Sequence, residues 1–84
     1  MLFCMKSVAG ENTDLIVKGE KLHVQTEDWA DNGNILVSRV FKHGAVIKTF
    51  KLPYDKINQA NNEEFRLKAL QKLHQFVIEK LYAD

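Results

Sequence analysis

With 84 residues the chain is one domain at most, near the size at which a single hydrophobic core only just suffices. Hydrophobic residues at 45% and charged residues at 27% suit a folded domain and exclude a disordered one. A net charge of +1 leaves no bulk field to recruit nucleic acid or an anionic membrane, and a single cysteine, Cys4, excludes an intramolecular disulfide and a four-cysteine zinc site.

Residues 1–12 read as an N-terminal arm. Met1 to Met5 is apolar but shorter than a signal-peptide core, and no stretch approaches the roughly 18 apolar residues of a membrane span. A cytoplasmic location and no membrane partner are expected on that basis. Cys4 reads as a buried apolar residue rather than a reactive or metal-binding thiol.

A sheet is expected over residues 13–52. Leu15-Ile16-Val17 is a β-branched run, followed by Lys18-Gly19-Glu20-Lys21 with glycine where a turn is needed, so the strand Leu22 to Asp28 pairs back as a hairpin. Within that strand His23, Gln25 and Glu27 point one way and Val24 and Thr26 the other. Trp29 to Asn34, with Asp31, Asn32, Gly33 and Asn34 in a row, is a turn signal, because these residues tolerate left-handed backbone.

Ile35 to Lys42 and Ala45 to Leu52 form the clearest hairpin, joined at His43-Gly44, where glycine takes the positive φ of a primed turn. The simplest register sets Phe41 against Val46, Val40 against Ile47, Arg39 against Lys48 and Val37 against Phe50. Arg39 facing Lys48 is unfavourable, so either the register differs or acidic groups lie beside the pair.

Pro53 ends the sheet because it cannot donate a ladder hydrogen bond. Residues 53–62 are a polar connector with room for a helical turn, and Asn61 or Asn62 is suited to cap a helix over 63–82 whose first turn carries Glu63 and Glu64. The apolar residues of that helix, from Phe65 to Leu81, span roughly 220° of its circumference, against the ~100° stripe that covers one sheet. The surplus is left to the N-terminal segment, to a second copy of the chain, or to another protein. The expected fold is α+β: a four-stranded antiparallel meander with one long C-terminal helix packed across it.

His23-Val24-Gln25-Thr26-Glu27-Asp28, followed by Val40-Phe41, Gly44, Tyr54 and a helix bearing Leu73-His74, resembles a small bacterial domain. That domain occurs in delta-proteobacteria and in predatory or gliding relatives, alone or attached to tetratricopeptide repeats. The resemblance covers residues 22–82 and implies a small α+β adaptor-like domain with no reaction of its own. It points to His23, Gln25, Glu27 and Asp28 on the strand, Gly44 at the hairpin, Tyr54 in the connector and His74 on the helix. Trp29 and the connector from Asp55 to Asn62 depart from it. Through its lineage it also implies a regulatory role beside a small Ras-like GTPase in a polarity or motility system.

Catalytic and metal chemistry find little footing. His23, His43 and His74 fall on a strand, a hairpin tip and a helix, without the spacing of a ligand set, and no metal or other cofactor is expected. His74, at the edge of the apolar arc, reads as a half-buried ring bonded to the sheet through Gln25 or Glu27. A calcium loop starting at Asp28 fails, with Ala30 at its third position and Arg39 at its twelfth. Cys4, Ser7 and Ser38 have no evident base, and the four glycines make no phosphate loop. No catalytic residue and no enzymatic activity are expected.

A non-enzymatic protein-interaction or regulatory module remains. Its binding residues are expected either in the row His23, Gln25, Glu27 and Trp29 or on the helix edge at Leu67, Ile78 and Tyr82, the latter with a homodimer as a natural variant. Trp29 is the leading anchor, since tryptophan is enriched among interface hot spots. The alternative from another class is a single-stranded nucleic-acid binder using a basic-aromatic sheet face of Arg39, Lys48 and Phe50, although the charge balance weighs against nucleic acid.

Overall fold

The computed structural model of the chain describes residues 8–30 and 33–83. The apolar segment Met1 to Met5, Ser7 and the Asp31-Asn32 pair lie outside the described residues. Four strands, β1 (Glu11–Val17), β2 (Glu20–Trp29), β3 (Ile35–Lys42) and β4 (Ala45–Pro53), form one antiparallel sheet in the order β1-β2-β3-β4. A 3₁₀ turn (Tyr54–Lys56) leads to α1 (Glu63–Ala83), which packs across the sheet. The architecture is the α+β meander expected from the sequence.

Two tight turns set the hairpins. Lys18 and Gly19 have φ of 51° and 81°, and His43 and Gly44 have 53° and 80°. Two consecutive positive φ values match the right-handed twist of the flanking strands, and in each turn glycine takes the second at no steric cost. The first strand opens at Glu11, inside the stretch read as an arm. Trp29, read as the start of a turn, is instead the last residue of β2, paired with Ile35.

The β3–β4 register departs from the simple expectation. Phe41 faces Val46, but Val40 then faces Lys48, Arg39 faces Thr49, Ser38 faces Phe50 and Val37 faces Lys51. Ile47 is the extra residue of a β-bulge, which moves every later β4 residue to the other face. The bulge removes the Arg39–Lys48 clash. It also places Arg39 and Phe50 on opposite faces of the sheet.

Alternation divides each strand in two. Leu22, Val24, Thr26 and Asp28 of β2, and Ala30 just beyond it, are buried on the α1 side, while His23, Gln25, Glu27 and Trp29 are half-buried on the other face. The core lies between sheet and helix in two apolar clusters. One joins Leu15, Val17, Leu22, Val24 and Val40 to Val77 and Leu81. The other gathers Ala30, Leu36, Tyr54 and Leu70. Polar side chains lie in the same layer: Thr26, Ser38, His74, Asp28 and Arg66 are all buried.

Asn62 caps α1, its Oδ1 accepting from the N–H groups of Glu64 at 2.9 Å and Phe65 at 3.2 Å. The buried stripe of the helix is Arg66, Leu70, His74, Val77 and Leu81, at four- and three-residue spacing. Phe65 and Phe76, both members of the wide apolar arc, are 39% and 51% exposed. The sheet needs only one stripe, and two polar residues occupy part of it, so the surplus apolar residues are left at its flank.

Candidate functional site

The face of the sheet opposite α1 carries no other element among the described residues. Its centre is built around Glu27. The Glu27 carboxylate accepts from Gln25 Nε2 at 2.8 Å, from Trp29 Nε1 at 3.3 Å and from Arg39 Nη2 at 2.6 Å. Gln25 and Trp29 are the neighbours two positions either side on β2, and Arg39 reaches across from β3, where it is paired with Gln25. The Arg39 guanidinium also lies 5.7 Å from the Trp29 ring and 5.6 Å from the Phe41 ring, within range of a cation–π contact to each. Its Nε is buried and makes no hydrogen bond among the described residues, consistent with a guanidinium held against rings. Burial alone would raise the Glu27 carboxyl; the bonds from Trp29 and Gln25 and the charge of Arg39 outweigh it and hold the group below its usual value.

His23 continues the row toward the hairpin tip. Its Nδ1 lies 2.8 Å from Asp14 Oδ1 and its Nε2 3.2 Å from Asn12 Oδ1, both on β1, and its ring tilts against Phe41 at 6.1 Å. The hydrogen bond from His23 lowers the Asp14 carboxyl. A shallow cleft of about 400 Å³ opens here, bordered by Asp14, Lys21, His23, Phe41 and His43. The four predicted strand residues therefore share one surface, to which the structure adds Arg39 and Phe41. The sequence signal for both was available in the alternation of β3, which sets Ile35, Val37, Arg39 and Phe41 on one face.

The other motif residues serve the interior. Asp28 accepts from Val8 N–H at 2.8 Å and Arg66 Nε at 2.9 Å on one oxygen and from the Tyr54 hydroxyl on the other. Arg66 also donates to the Ala60 carbonyl at 2.6 Å and lies over the Tyr54 ring. The Asp28 and Arg66 side chains are both 0% exposed, so this one ion pair joins β2, the connector and the first turns of α1. Thr26 bonds Ser38 at 2.9 Å and His74 Nδ1 at 2.6 Å, and Thr13 bonds His74 Nε2 at 2.8 Å. His74 thus meets the sheet through Thr13 and Thr26; Gln25 and Glu27 cannot serve, because alternation turns them away from the helix. Burial lowers the His74 pKa, with Glu11 only partly countering it, and a neutral ring donating from one nitrogen and accepting at the other suits two hydroxyl neighbours.

On the helix edge, Leu67 and Ile78 are half-buried, Ile78 packing against the first core cluster, and Tyr82 is 55% exposed. Most of this edge is spent on self-coverage.

The chain matches no family model, no curated protein and no solved structure. Geometry therefore carries the functional reading. Among the described residues no group of His, Cys, Asp and Glu side chains could hold a metal ion, and no helix is long and apolar enough to cross a membrane. Ser38 and His74, whose residue types suit nucleophilic chemistry, are 0% and 4% exposed and bond to each other's neighbour Thr26, out of reach of a substrate. What the open face offers is a patch of rings and charges whose side chains are already fixed in place.

Proposed function

We propose that this domain is a non-enzymatic, cytoplasmic protein-interaction module whose binding surface is the open face of the sheet, centred on Trp29, Arg39 and Phe41 with Glu27 beneath them. The observation that carries this reading is the Glu27 carboxylate, which binds Gln25, Trp29 and Arg39 together. Tryptophan, tyrosine and arginine dominate interface hot spots, and side chains fixed before binding lose less entropy on binding. Val37, opposite Glu27 in the register, is 1% exposed although no element among the described residues covers it, and the neighbouring side chains close over the middle of the face. His23, held by Asp14 and Asn12, extends the surface toward the hairpin tip.

The alternative nucleic-acid surface needs Arg39, Lys48 and Phe50 together. The bulge sets Arg39 on the open face and Lys48 and Phe50 on the helix side, which removes the continuous basic-aromatic platform. Arg39 is moreover paired with Glu27, whose charge opposes a phosphate backbone. A homodimer through Leu67, Ile78 and Tyr82 draws support only from the exposure of Tyr82.

The test is affinity capture from lysate of the native host, comparing wild type with Trp29→Ala, Arg39→Ala and Tyr82→Ser, each shown to be folded by circular dichroism. A partner retained by wild type and Tyr82→Ser, and lost with Trp29→Ala and Arg39→Ala, supports the open face. The reverse pattern transfers the function to the helix edge.

A further inference from the structure

A second surface lies on the helix side of the sheet, away from the open face and independent of its role. α1 packs on β1, β2 and β3, and leaves a groove between its flank and the edge strand β4. This groove encloses about 780 Å³, and its floor is apolar, with Phe50 and Leu52 from β4, Ile57 from the connector, and Phe65, Leu73 and Phe76 from α1. Phe50 and Phe76 meet edge to face across it, with ring centroids 6.3 Å apart. Phe65 and Phe76 remain 39% and 51% exposed and lie together along this groove, a contiguous apolar patch of the kind that marks interaction sites.

The rim identifies the occupant. Lys56, Lys68 and Lys72 border the groove, and no Asp or Glu does; Lys51, opposite Val37 in the register, turns its side chain to the open face. In a chain of 12 basic and 11 acidic residues, three cations and no carboxylate around one apolar trough form a local asymmetry. The nearest carboxylates in sequence, Asp55 and Glu64, do not line it. We infer that the groove binds an acidic amphipathic segment of another protein, with apolar side chains set into the trough at helical spacing and Asp or Glu flanking them against the lysines. The concave shape favours inserted side chains over a lipid surface, which apolar groups reach by projecting outward. The N-terminal Met1-Leu2-Phe3-Cys4-Met5-Lys6-Ser7 is a poor match in charge, since it adds a lysine and no carboxylate.

The probes are three fluorescein-labelled helical peptides with the same Leu and Phe anchors and with Glu, Gln or Lys flanks, read by fluorescence polarisation against the full chain. Vesicles of phosphatidylcholine with and without phosphatidylserine are read by co-sedimentation. The Glu peptide should bind roughly fivefold more tightly than the Gln peptide, with an advantage that shrinks in salt, because three screened pairs of about 0.3 kcal/mol each sum to about that factor. Lys68→Glu/Lys72→Glu should reverse the order of the Glu and Lys peptides, and Phe76→Ser should weaken all three. All three positions are exposed, and circular dichroism is the check that the variants fold. Equal affinity for the three peptides, no binding by any, binding only after residues 1–7 are deleted, binding only to phosphatidylserine vesicles, or a groove closed by self-association in sedimentation would each overturn the inference.

Discussion

Asp28→Ala should be the most damaging single substitution in the sheet. Asp28 and Arg66 are both fully buried, and the carboxylate accepts from Val8 N–H, Arg66 Nε and the Tyr54 hydroxyl. Alanine takes the counter-charge from a guanidinium that remains inside the protein, and removing one partner of a buried pair typically costs about 3–5 kcal/mol. A chain of 84 residues has a total stability of roughly 4–12 kcal/mol at the usual per-residue value. The variant should therefore lose between a quarter and all of its stability, and its Tm should fall by on the order of 15–30 °C. The assay is urea and thermal unfolding followed by circular dichroism. A paired replacement, Asp28→Leu with Arg66→Met, removes both charges and should recover most of the loss, since a buried ion pair exchanged for apolar packing is often neutral. If Asp28→Ala unfolds within about 1 kcal/mol of wild type, the ion pair does not join β2 to α1 as described. If the paired replacement is as unstable as the single one, the cost lies in lost shape and in the bonds from Val8 N–H and the Tyr54 hydroxyl to Asp28 rather than in an uncompensated charge.

Acidification should destabilise the fold through His74, whose folded pKa burial holds below the usual 6.5. The unfolded chain takes up this proton first as pH falls, so the contribution is complete above about 6.5 and is lost progressively as pH drops toward the folded value. Urea midpoints across that range, compared between wild type and His74→Gln, should show the slope in the former and its reduction in the latter. Asn62→Ala should cost about 0.5–2 kcal/mol, because two N–H groups at the start of α1 lose their acceptor. Gly10→Ala should destabilise the entry to β1, since a Cβ there falls 2.8 Å from the Thr26 carbonyl oxygen, a backbone atom of the paired strand that cannot swing aside. Chemical denaturation of both variants checks the value for Asn62→Ala and the direction for Gly10→Ala.

The legible part of this fold was whatever short-range pattern specifies. Both glycine turns, the alternation of His23 through Asp28 and an asparagine cap at Asn61 or Asn62 follow from residues within a few positions of one another. The bulge at Ile47 was signalled only by the unfavourable Arg39–Lys48 pairing; the continuous alternation of β3 gives no sign of where β4 gains a residue, and the face assignment of Lys48 and Phe50 failed with it. The Asp28–Arg66 pair spans 38 residues and was missed for a related reason. Its signal was present nonetheless: Asp28 falls in the inward register of β2 with Val24 and Thr26, and Arg66 falls on the inward stripe of α1 with Leu70 and Val77. An acid and a base on two faces that must meet predict their own pairing. The candidate surface was half legible, since the β2 row emerged from one strand, whereas the part played by Arg39 required its neighbours across the sheet.

The most direct test of the open face as the binding surface is site-specific photo-crosslinking in the native host. A photo-reactive residue is placed at Ile35, which pairs with Trp29, or at Tyr82 on the helix edge. The open-face account predicts a discrete adduct with a second protein from Ile35, lost when Arg39→Ala is added, and none from Tyr82. Adducts from Tyr82 alone, or an adduct from Ile35 that is indifferent to Arg39→Ala, would contradict it.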